Sequence, residues 1–327
     1  MKIAIIGSGM SAITLAKNLT NDNSITLFEK SKSVGGRVST RRSESYEFDH
    51  GAQFFTAKSR DFKNFIAPVI KKNIIQRWDA RFAEFKNNKI LRQHTWDSEY
   101  PHYVGVPGMN NILKYLSTDL NIILNCEIQN ISKDKNGRWN LFNINGENLG
   151  DYDWVISTAP AFQSAKILPT IYKYHDQLLK KKMLGCFSLM LGFKEPLSLS
   201  WDAALVSEAD ISWISVNSSK PNRSGGFSLL VHSTNAWAEK NINEEPEKVK
   251  NYLSEVTSKI IGYDTKLADH IDIHAWKYAN IKKQDEPSLL IDYENKLASC
   301  GDWLIHGRIE SAFKSGLMLA KSMNKES

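Results

Sequence analysis

The chain opens on a short β-branched run, Lys2–Ile6, that stops at Gly7. Apolar residues at helical spacing follow over 11–19, and a second strand-like run, Ser24–Phe28, ends at Glu29. This order predicts a compact β-α-β unit. Farther on, 139–144 alternates apolar and polar positions, Asn145-Gly146 predicts a turn, and Trp154–Ser157 reads as a buried strand that ends before Pro160. A hairpin layer returning to the first sheet accounts for that pattern. Strands are predicted over 187–193, Ile211–Val216, 227–232 and 271–276, with a helix over Pro246–Ile261, so the second half forms antiparallel strands under one covering helix. The final segment, a strand at 297–300, then Gly301-Asp302, then a helix over about 311–323, returns to the style of the opening. The first domain is therefore expected to be discontinuous and closed by the C-terminal segment.

Composition narrows the class without changing this outline. With 327 residues, 42% of them hydrophobic, the chain is long enough for two domains and too apolar for a disordered one. Its formal charge is +6, but the basic residues are dispersed and no basic stripe is interleaved with aromatics, so no nucleic-acid partner is expected. The three cysteines, Cys126, Cys186 and Cys300, are far apart and show no C-x-x-C spacing. That argues against a disulfide framework and a thiolate metal site, and suits a reducing cytoplasmic setting. No apolar run reaches the ~18 residues of a membrane span. His270 and His274 are four apart, but on a strand four residues cover ~13 Å, too far to chelate one ion; no metal is expected.

Candidate chemistry concentrates in glycine-rich turns. Gly7-Ser8-Gly9-Met10-Ser11-Ala12 follows the first strand and opens the first helix. There the first glycine permits a tight turn, the second admits a pyrophosphate against bare backbone, and the small sixth residue packs helix on strand. The helix N-terminus offers N–H groups and a partial positive charge to the phosphates. Glu29, with Lys30 beside it, is placed to bond an adenosine ribose, and the second turn, Gly35-Gly36-Arg37, brings a forked guanidinium suited to pyrophosphate. The fold class is therefore α/β, a Rossmann-like dinucleotide-binding domain plus a second, mainly antiparallel α+β substrate domain. The expected division is 1–60, 105–165 and 286–327 for the first and 61–104 and 166–285 for the second.

These turns, with the late Gly301-Asp302 and the small-residue helix after it, resemble the FAD-binding domain of amine-oxidase and p-hydroxybenzoate-hydroxylase-type flavoproteins. Within that group, Asp49-His50-Gly51-Ala52-Gln53-Phe54-Phe55-Thr56, Val106-Pro107-Gly108-Met109, Ser157-Thr158-Ala159-Pro160 and His274-Ala275-Trp276-Lys277-Tyr278-Ala279 resemble segments of the renalase-like family. Phe54 stands where that family usually has tyrosine, and Lys277 where arginine is common. The resemblance implies non-covalent FAD. Asp302, next to Gly301, would bond the ribitol, and the Ile128 backbone would meet the adenine. The N–H groups around Ile309, Ser311 and Ala312 would face the flavin edge that gains negative charge on reduction, a stabilisation of up to ~1–2 kcal/mol. Gln53, Phe54, Phe55 and Thr56 would lie beside the flavin ring, Gln53 and Phe54 touching cofactor as well as substrate. Trp276 and Tyr278, alternate residues of one strand, would form an aromatic wall, and Arg308 would receive an anionic group of the substrate.

The activity implied is oxidation of misreduced (2- or 6-dihydro) NAD(P)H isomers to NAD(P)+, with O2 reduced to hydrogen peroxide. Such a dihydropyridine needs no proton removed, and the sequence singles out no catalytic acid or base. The expected partners are a small dinucleotide substrate and O2. Oxidation of a small amine, a desaturase or isomerase reaction on the same fold, and a non-catalytic FAD module remain open alternatives.

Overall fold

The Lys2–Ile6 strand lies inside a six-stranded sheet in the computed structural model, which describes residues 1–20, 22–285 and 289–326. Across that sheet the order is Leu290–Asp292, Leu297–Ser299, Trp154–Ser157, Lys2–Ile6, Ser24–Phe28 and Ile122–Ile123. The pairings are parallel except at the Leu290–Asp292 edge. A parallel sheet needs crossovers and buries both faces, which explains the unbroken apolar runs of its strands. The helix Met10–Asn18 supplies the first crossover, and the closing helix Ile309–Glu326 packs along it.

The close approach of these two helices depends on Gly316. A Cβ there would collide with the Ser11 backbone, whose carbonyl carbon is only 3.2 Å from the added atom. Residues from both ends of the chain consequently share one core: Ile3, Ile5, Leu15 and Leu27 lie with Ala298, Leu319 and Met323. A three-stranded antiparallel sheet, Ile128–Lys133, Trp139–Asn143 and Asn148–Tyr152, completes this first unit, which comprises Met1–Arg37, Leu113–Met183 and the chain from Asn280 on.

The second unit, Val38–Ile112 and Leu184–Ala279, is built on a seven-stranded sheet. Its order is His270–Asn280, Leu184–Phe193, Phe227–Ser233, Ile211–Val216, Ala203–Ser207, Arg81–Lys86 and Lys89–Thr95. Strand alternation divides its residues between two faces. Phe187, Leu189 and Leu191, with Leu229, Val231, Ile214 and Val216, form an apolar face with Val249, Leu253 and Ile260 of the helix Pro246–Ile261. That helix starts with proline at its first turn and ends at Gly262 in the left-handed conformation (φ 75°), whose N–H bonds Ser258 O at 2.9 Å. The opposite face carries Ser188, Leu230, His232, Trp213 and Ser215.

Several expectations need correction. Two helices, Asn235–Asn241 and Pro246–Ile261, accompany the second sheet where one was expected. The predicted strand 271–276 runs over His270–Asn280, and the closing helix starts at Ile309 rather than near 311. Ala203–Ser207 pairs in parallel with Arg81–Lys86, so the second sheet is mixed. The division of the chain also runs elsewhere: residues 38–60 and 105–112 group with the second unit, and 166–183 with the first. The expected boundary at 286 falls outside the described residues. Among the described residues no helix is long and apolar enough to cross a membrane.

Substituting Gly316→Ala should lower the unfolding free energy by about 1–3 kcal/mol, because neither backbone can yield to the added methyl without parting the helices. Urea unfolding of the two proteins measures it, and equal midpoints would refute the contact.

Candidate functional site

The first unit gathers the predicted nucleotide-binding residues around one end of its sheet. Gly7 has φ +106°, and a Cβ there would lie 2.5 Å from Thr158 Oγ1. Its need for glycine is therefore internal to the fold. Gly9 is different: a Cβ would meet nothing within 4 Å. Gly36 (φ +55°) has only the Gly9 Cα near its missing side chain, at 3.8 Å. Two bare stretches of backbone thus flank open space at the start of the first helix, whose N-cap Gly9 contributes no side-chain bond. Ser8, Met10, Ser11 and Ala12 are buried beneath it.

Glu29 is nearly buried at the tip of Ser24–Phe28 and is anchored by three donors. Its Oε2 accepts the Ser8 N–H (3.0 Å) and hydroxyl (2.7 Å), and its Oε1 accepts the Ser31 N–H (2.8 Å). A carboxylate has about four acceptor positions, so one remains for a ligand hydroxyl. Lys30 next to it is exposed. Cys126 N–H bonds Glu29 O at 2.9 Å and Glu29 N–H bonds Ile123 O at 2.9 Å, so the chain leading to Ile128 passes alongside this tip.

Arg37 and Asp302 were expected to serve different parts of the ligand, but the structure pairs them. Arg37 Nη1 and Nη2 reach Asp302 Oδ2 and Oδ1 at 3.0 and 2.5 Å, a two-pronged bridge joining residues 265 apart in sequence. Gly301 donates its N–H to Ser315 Oγ (3.0 Å), and Asp302 opens a 3-10 turn, Asp302–Leu304, ahead of the closing helix. Ile309 and Ser311 are buried and Ala312 is half-buried. Arg308 is exposed, its Nε donating to His306 Nδ1 at 3.0 Å, and its carbonyl accepts the Ala312 N–H. Cys300 is buried with its thiol pushed up to about 12 by desolvation, an unreactive packing group. The open cradle, the helix terminus and the carboxylate with one acceptor free fit the adenosine and pyrophosphate of a dinucleotide.

In the second unit the segment from Asp49 to Phe55 belongs to the polar face of the seven-stranded sheet. Asp49 is fully buried, with Lys220 Nζ 3.1 Å and Arg223 Nη2 2.6 Å from its Oδ2. Burial pushes the Asp49 carboxyl up, but Lys220, Arg223 and the Met109 N–H outweigh it and bring it down to about 2. Two buried cations against one carboxylate leave a surplus positive charge. Burial, reinforced by Arg223, accordingly lowers the Lys220 amine to about 8 against the pull of Asp49.

Gln53 was expected to bond flavin or substrate, yet its carboxamide is fully engaged within this network. Its Nε2 donates to the carbonyls of Asp49 and Gly51, and its Oε1 accepts from Ser215 Oγ (2.9 Å) and Lys220 Nζ (3.3 Å). Gln53 therefore fixes the shape of the 49–53 turn. Phe55 is likewise core: it bridges Tyr103 by two backbone hydrogen bonds and packs on the Phe62 and Tyr103 rings. Thr56 is half-buried. Phe54 enters a different aromatic group, its ring centroid 5.0 Å from Trp96, 5.0 Å from His102 and 5.5 Å from Trp213.

Trp276 and Tyr278 share a face with His274, while Ala275 and Lys277 between them are exposed. The Trp276 indole donates to His50 O (2.8 Å) and stacks on the His50 ring at 5.1 Å. His274 lies edge-on to both, and Arg41, which bonds Asp272 Oδ2 at 2.5 Å, also reaches His274 Nδ1 at 3.3 Å. Burial, then the charges of His274 and Arg41, lower His50 to about 3; burial, with Lys220 adding, lowers His232 to about 4. Both rings are neutral at pH 7 and weakly basic.

Sequence reasoning missed Lys220, Arg223, His50 and His232, and with them Trp78, Trp96, His102 and Trp213. One signal was present: Asn87-Asn88, both at positive φ (49° and 60°), turns the hairpin Arg81–Lys86 to Lys89–Thr95 that presents Trp96. The exposed, polar second strand of that hairpin concealed it.

Comparison with known proteins agrees with this fold. Residues 5–68 match the NAD(P)-binding Rossmann-like domain family, and residues 78–324 match the family described as flavin containing amine oxidoreductase. The 4,4'-diapophytoene desaturase of Staphylococcus haemolyticus is 28% identical over 98 residues, 30% of this chain and 17% of that protein. That of Staphylococcus aureus strain Newman is 30% identical over 77 residues, 20% of this chain and 15% of that protein. The chain thus matches under a fifth of these relatives' length. Among solved structures, a protein provisionally assigned as a protoporphyrinogen oxidase from Exiguobacterium sp. 255-15 aligns at TM-score 0.80, with 13% identity over 100% of this chain and 99% of its own. A triple mutant of putrescine oxidase aligns at 0.76 with 10% identity (100% and 99%), and cyclohexylamine oxidase from Brevibacterium oxydans IH-35A at 0.72 with 13% (99% and 99%). At such identities these likenesses describe the fold alone.

Two outcomes follow. Gly9→Ala should leave stability unchanged, since its methyl meets nothing in the protein, and yet weaken retention of a bound dinucleotide at least tenfold, read by flavin absorbance after dialysis. Asp49→Asn should cost about 3–5 kcal/mol in urea unfolding by leaving two buried cations uncompensated, whereas Lys220→Met, which removes the surplus charge, should cost clearly less; the reverse order would refute the charge assignment.

Proposed function

Because the chain belongs to the flavin containing amine oxidoreductase family, matched over most of its length, we propose that it is a FAD-dependent oxidase of the renalase type, oxidising misreduced (2- or 6-dihydro) NAD(P)H isomers to NAD(P)+. FAD, when bound, would supply the two-electron acceptor for this oxidation, with O2 as the final oxidant. The first unit's residues serve retention: the Gly9 and Gly36 backbone and the first helix terminus take the phosphates, and Glu29 takes a ribose hydroxyl. Asp302, held in register by Arg37, presents its remaining oxygen positions to the ribitol, and the Ile309–Ala312 backbone offers positive charge to the flavin edge.

The observation that carries the substrate assignment is electrostatic. On the polar face of the second unit Asp272 is taken by Arg41, and Asp49 is taken twice, by Lys220 and Arg223. The balance of these five groups is positive, which favours an anionic dinucleotide and opposes a protonated amine. His50 and His232, with conjugate-acid values of about 3 and 4, are neutral at pH 7 and too weakly basic to remove a proton efficiently. A dihydropyridine requires no such removal; its aromatisation drives the reaction. The residues' contribution is then to orient and dehydrate the ring, for which Trp276, itself fixed by His50, is the aromatic surface.

Stopped-flow mixing of the FAD-loaded protein with 2- or 6-dihydro-NAD(P) should bleach the flavin within seconds, at a rate that varies little between about pH 5.5 and 7.5. Bleaching by putrescine or cyclohexylamine, and not by the dihydro isomers, would overturn the assignment in favour of an amine oxidase.

A further inference from the structure

Alternate residues of the strand His270–Asn280 set His274 and Trp276 side by side on one face of the second unit. Their ring centroids are 4.4 Å apart with 73° between planes, so the imidazole stands up beside the indole and does not stack on it. A flat ligand laid against the indole meets the imidazole at its margin. Arg41, from the short strand Arg41–Arg42, decides which imidazole nitrogen carries the proton. Its Nη2 lies 3.3 Å from His274 Nδ1, and a guanidinium only donates, so Nδ1 must accept. Arg41 is itself held by Asp272 Oδ2 at 2.5 Å, and Asp272 Oδ1 accepts the Ile273 N–H at 2.8 Å. Burial and the adjacent guanidinium outweigh Asp272 and keep the His274 ring neutral at pH 7. Its one N–H is consequently on Nε2.

That N–H has no hydrogen-bond acceptor among the described residues, and it is not sealed in. The nitrogens buried without a partner include Nδ1 of His50 and of His102, but not Nε2 of His274. His274 is half-buried, and the Arg41 and Asp272 side chains beside it are 37% and 39% exposed. An incoming molecule can therefore reach this donor, whose direction is fixed from behind by a charged residue that is fixed in turn. We infer that His274, held as the Nε2–H tautomer by Arg41, donates a hydrogen bond to the carboxamide oxygen of the dihydronicotinamide ring lying on Trp276. This inference rests on the proposed substrate class and adds to it the means of telling substrate from product; Arg41 is the positioning residue.

The chemistry of the two ligand states gives this bond its use. In the 2- and 6-dihydro rings the ring nitrogen is conjugated through carbon–carbon double bonds to the carboxamide, so its lone pair enriches the carbonyl oxygen. Loss of hydride leaves a pyridinium, which draws that electron density back. The bond to His274 is therefore strong in the substrate, weaker as hydride leaves and weakest in NAD(P)+, and no proton moves along it. Such an interaction tightens substrate binding without speeding the chemical step, and it eases product release. The phosphates lie beyond the ribose and are the same before and after reaction, so a bond to them discriminates nothing.

Stopped-flow reduction of the FAD-loaded protein over a range of 6-dihydro-NAD concentrations gives the substrate Kd and the limiting rate of bleaching, and competition by NAD+ gives the product affinity. His274→Phe, which keeps a flat ring and removes the N–H, should raise the substrate Kd roughly fivefold or more, the loss of one hydrogen bond. Its limiting rate should stay within about twofold of wild type and its NAD+ affinity should be unchanged. His274→Gln, whose amide restores an N–H near the same point, should recover most of the loss, which a packing role would not allow. Nitrogen-15 NMR of histidine-labelled protein, with the His274 signals identified by their absence in His274→Gln, reads the tautomer without any ligand: the proton should be on Nε2 in wild type and shared between the nitrogens in Arg41→Met. An unchanged Kd in His274→Phe, no recovery in His274→Gln, or a proton on Nδ1 in wild type overturns the inference. Equal weakening of 6-dihydro-NAD and NAD+ overturns it too, by placing the acceptor on the ribose or phosphates common to both. If the isomers bleach wild type and His274→Phe alike, the reaction stands and the role of His274 falls; if no isomer bleaches wild type while NMR shows the Nε2–H, the reaction falls and the carboxamide with it, leaving only the tautomer.

Discussion

The first unit depends on one tight contact, the closing helix laid against the opening helix where Gly316 meets the Ser11 backbone. Everything proposed for cofactor retention hangs on that approach. It brings the Leu297–Ser299 strand beside Trp154–Ser157 and thereby sets Asp302 within reach of Arg37. A domain made of the first and last stretches of a chain must close a very long loop, but closure entropy grows only logarithmically with length, so the burial of the shared core offsets it. The salt bridge then adds direction more than stability: a forked pair fixes the orientation of both side chains where burial alone would fix only their depth.

In the second unit one sheet does two jobs because its side chains alternate. One set packs on helices through a largely apolar face. The other holds Asp49, Lys220 and Arg223, charges that would each be costly to bury alone and that persist because they pair with one another. Asp49 is ionised because two cations adjoin it, and those cations are tolerated because Asp49 does. Gln53 is the hinge of the arrangement, spending all its hydrogen bonds on keeping the Asp49 turn in place.

This arrangement bears on chemistry through what it withholds. Histidines in a polar site usually suggest proton transfer, yet burial and surrounding positive charge make His50 and His232 poor bases. A face that is positive in balance and short of bases suits a reaction in which binding and orientation supply most of the catalysis. Under the proposed reaction, Trp276 is the surface that would orient the substrate ring.

The sequence by itself determined the elements whose signals are local. The strand Lys2–Ile6, the glycine turn, Glu29 at the tip of Ser24–Phe28, and the helix Pro246–Ile261 between its proline and Gly262 are all legible, because period, turn chemistry and caps act within a few residues. The alternation of Trp276 and Tyr278 was legible for the same reason. Tertiary structure alone decided the rest. It joined Arg37 to Asp302, engaged the whole carboxamide of Gln53, and buried Lys220 and Arg223 around Asp49. It also assembled Phe54, Trp96, His102 and Trp213 from three separate segments. The physical reason is that a side chain's charge state, its free hydrogen-bonding positions and its ring neighbours depend on groups distant in the chain, and no local pattern encodes which of those will arrive.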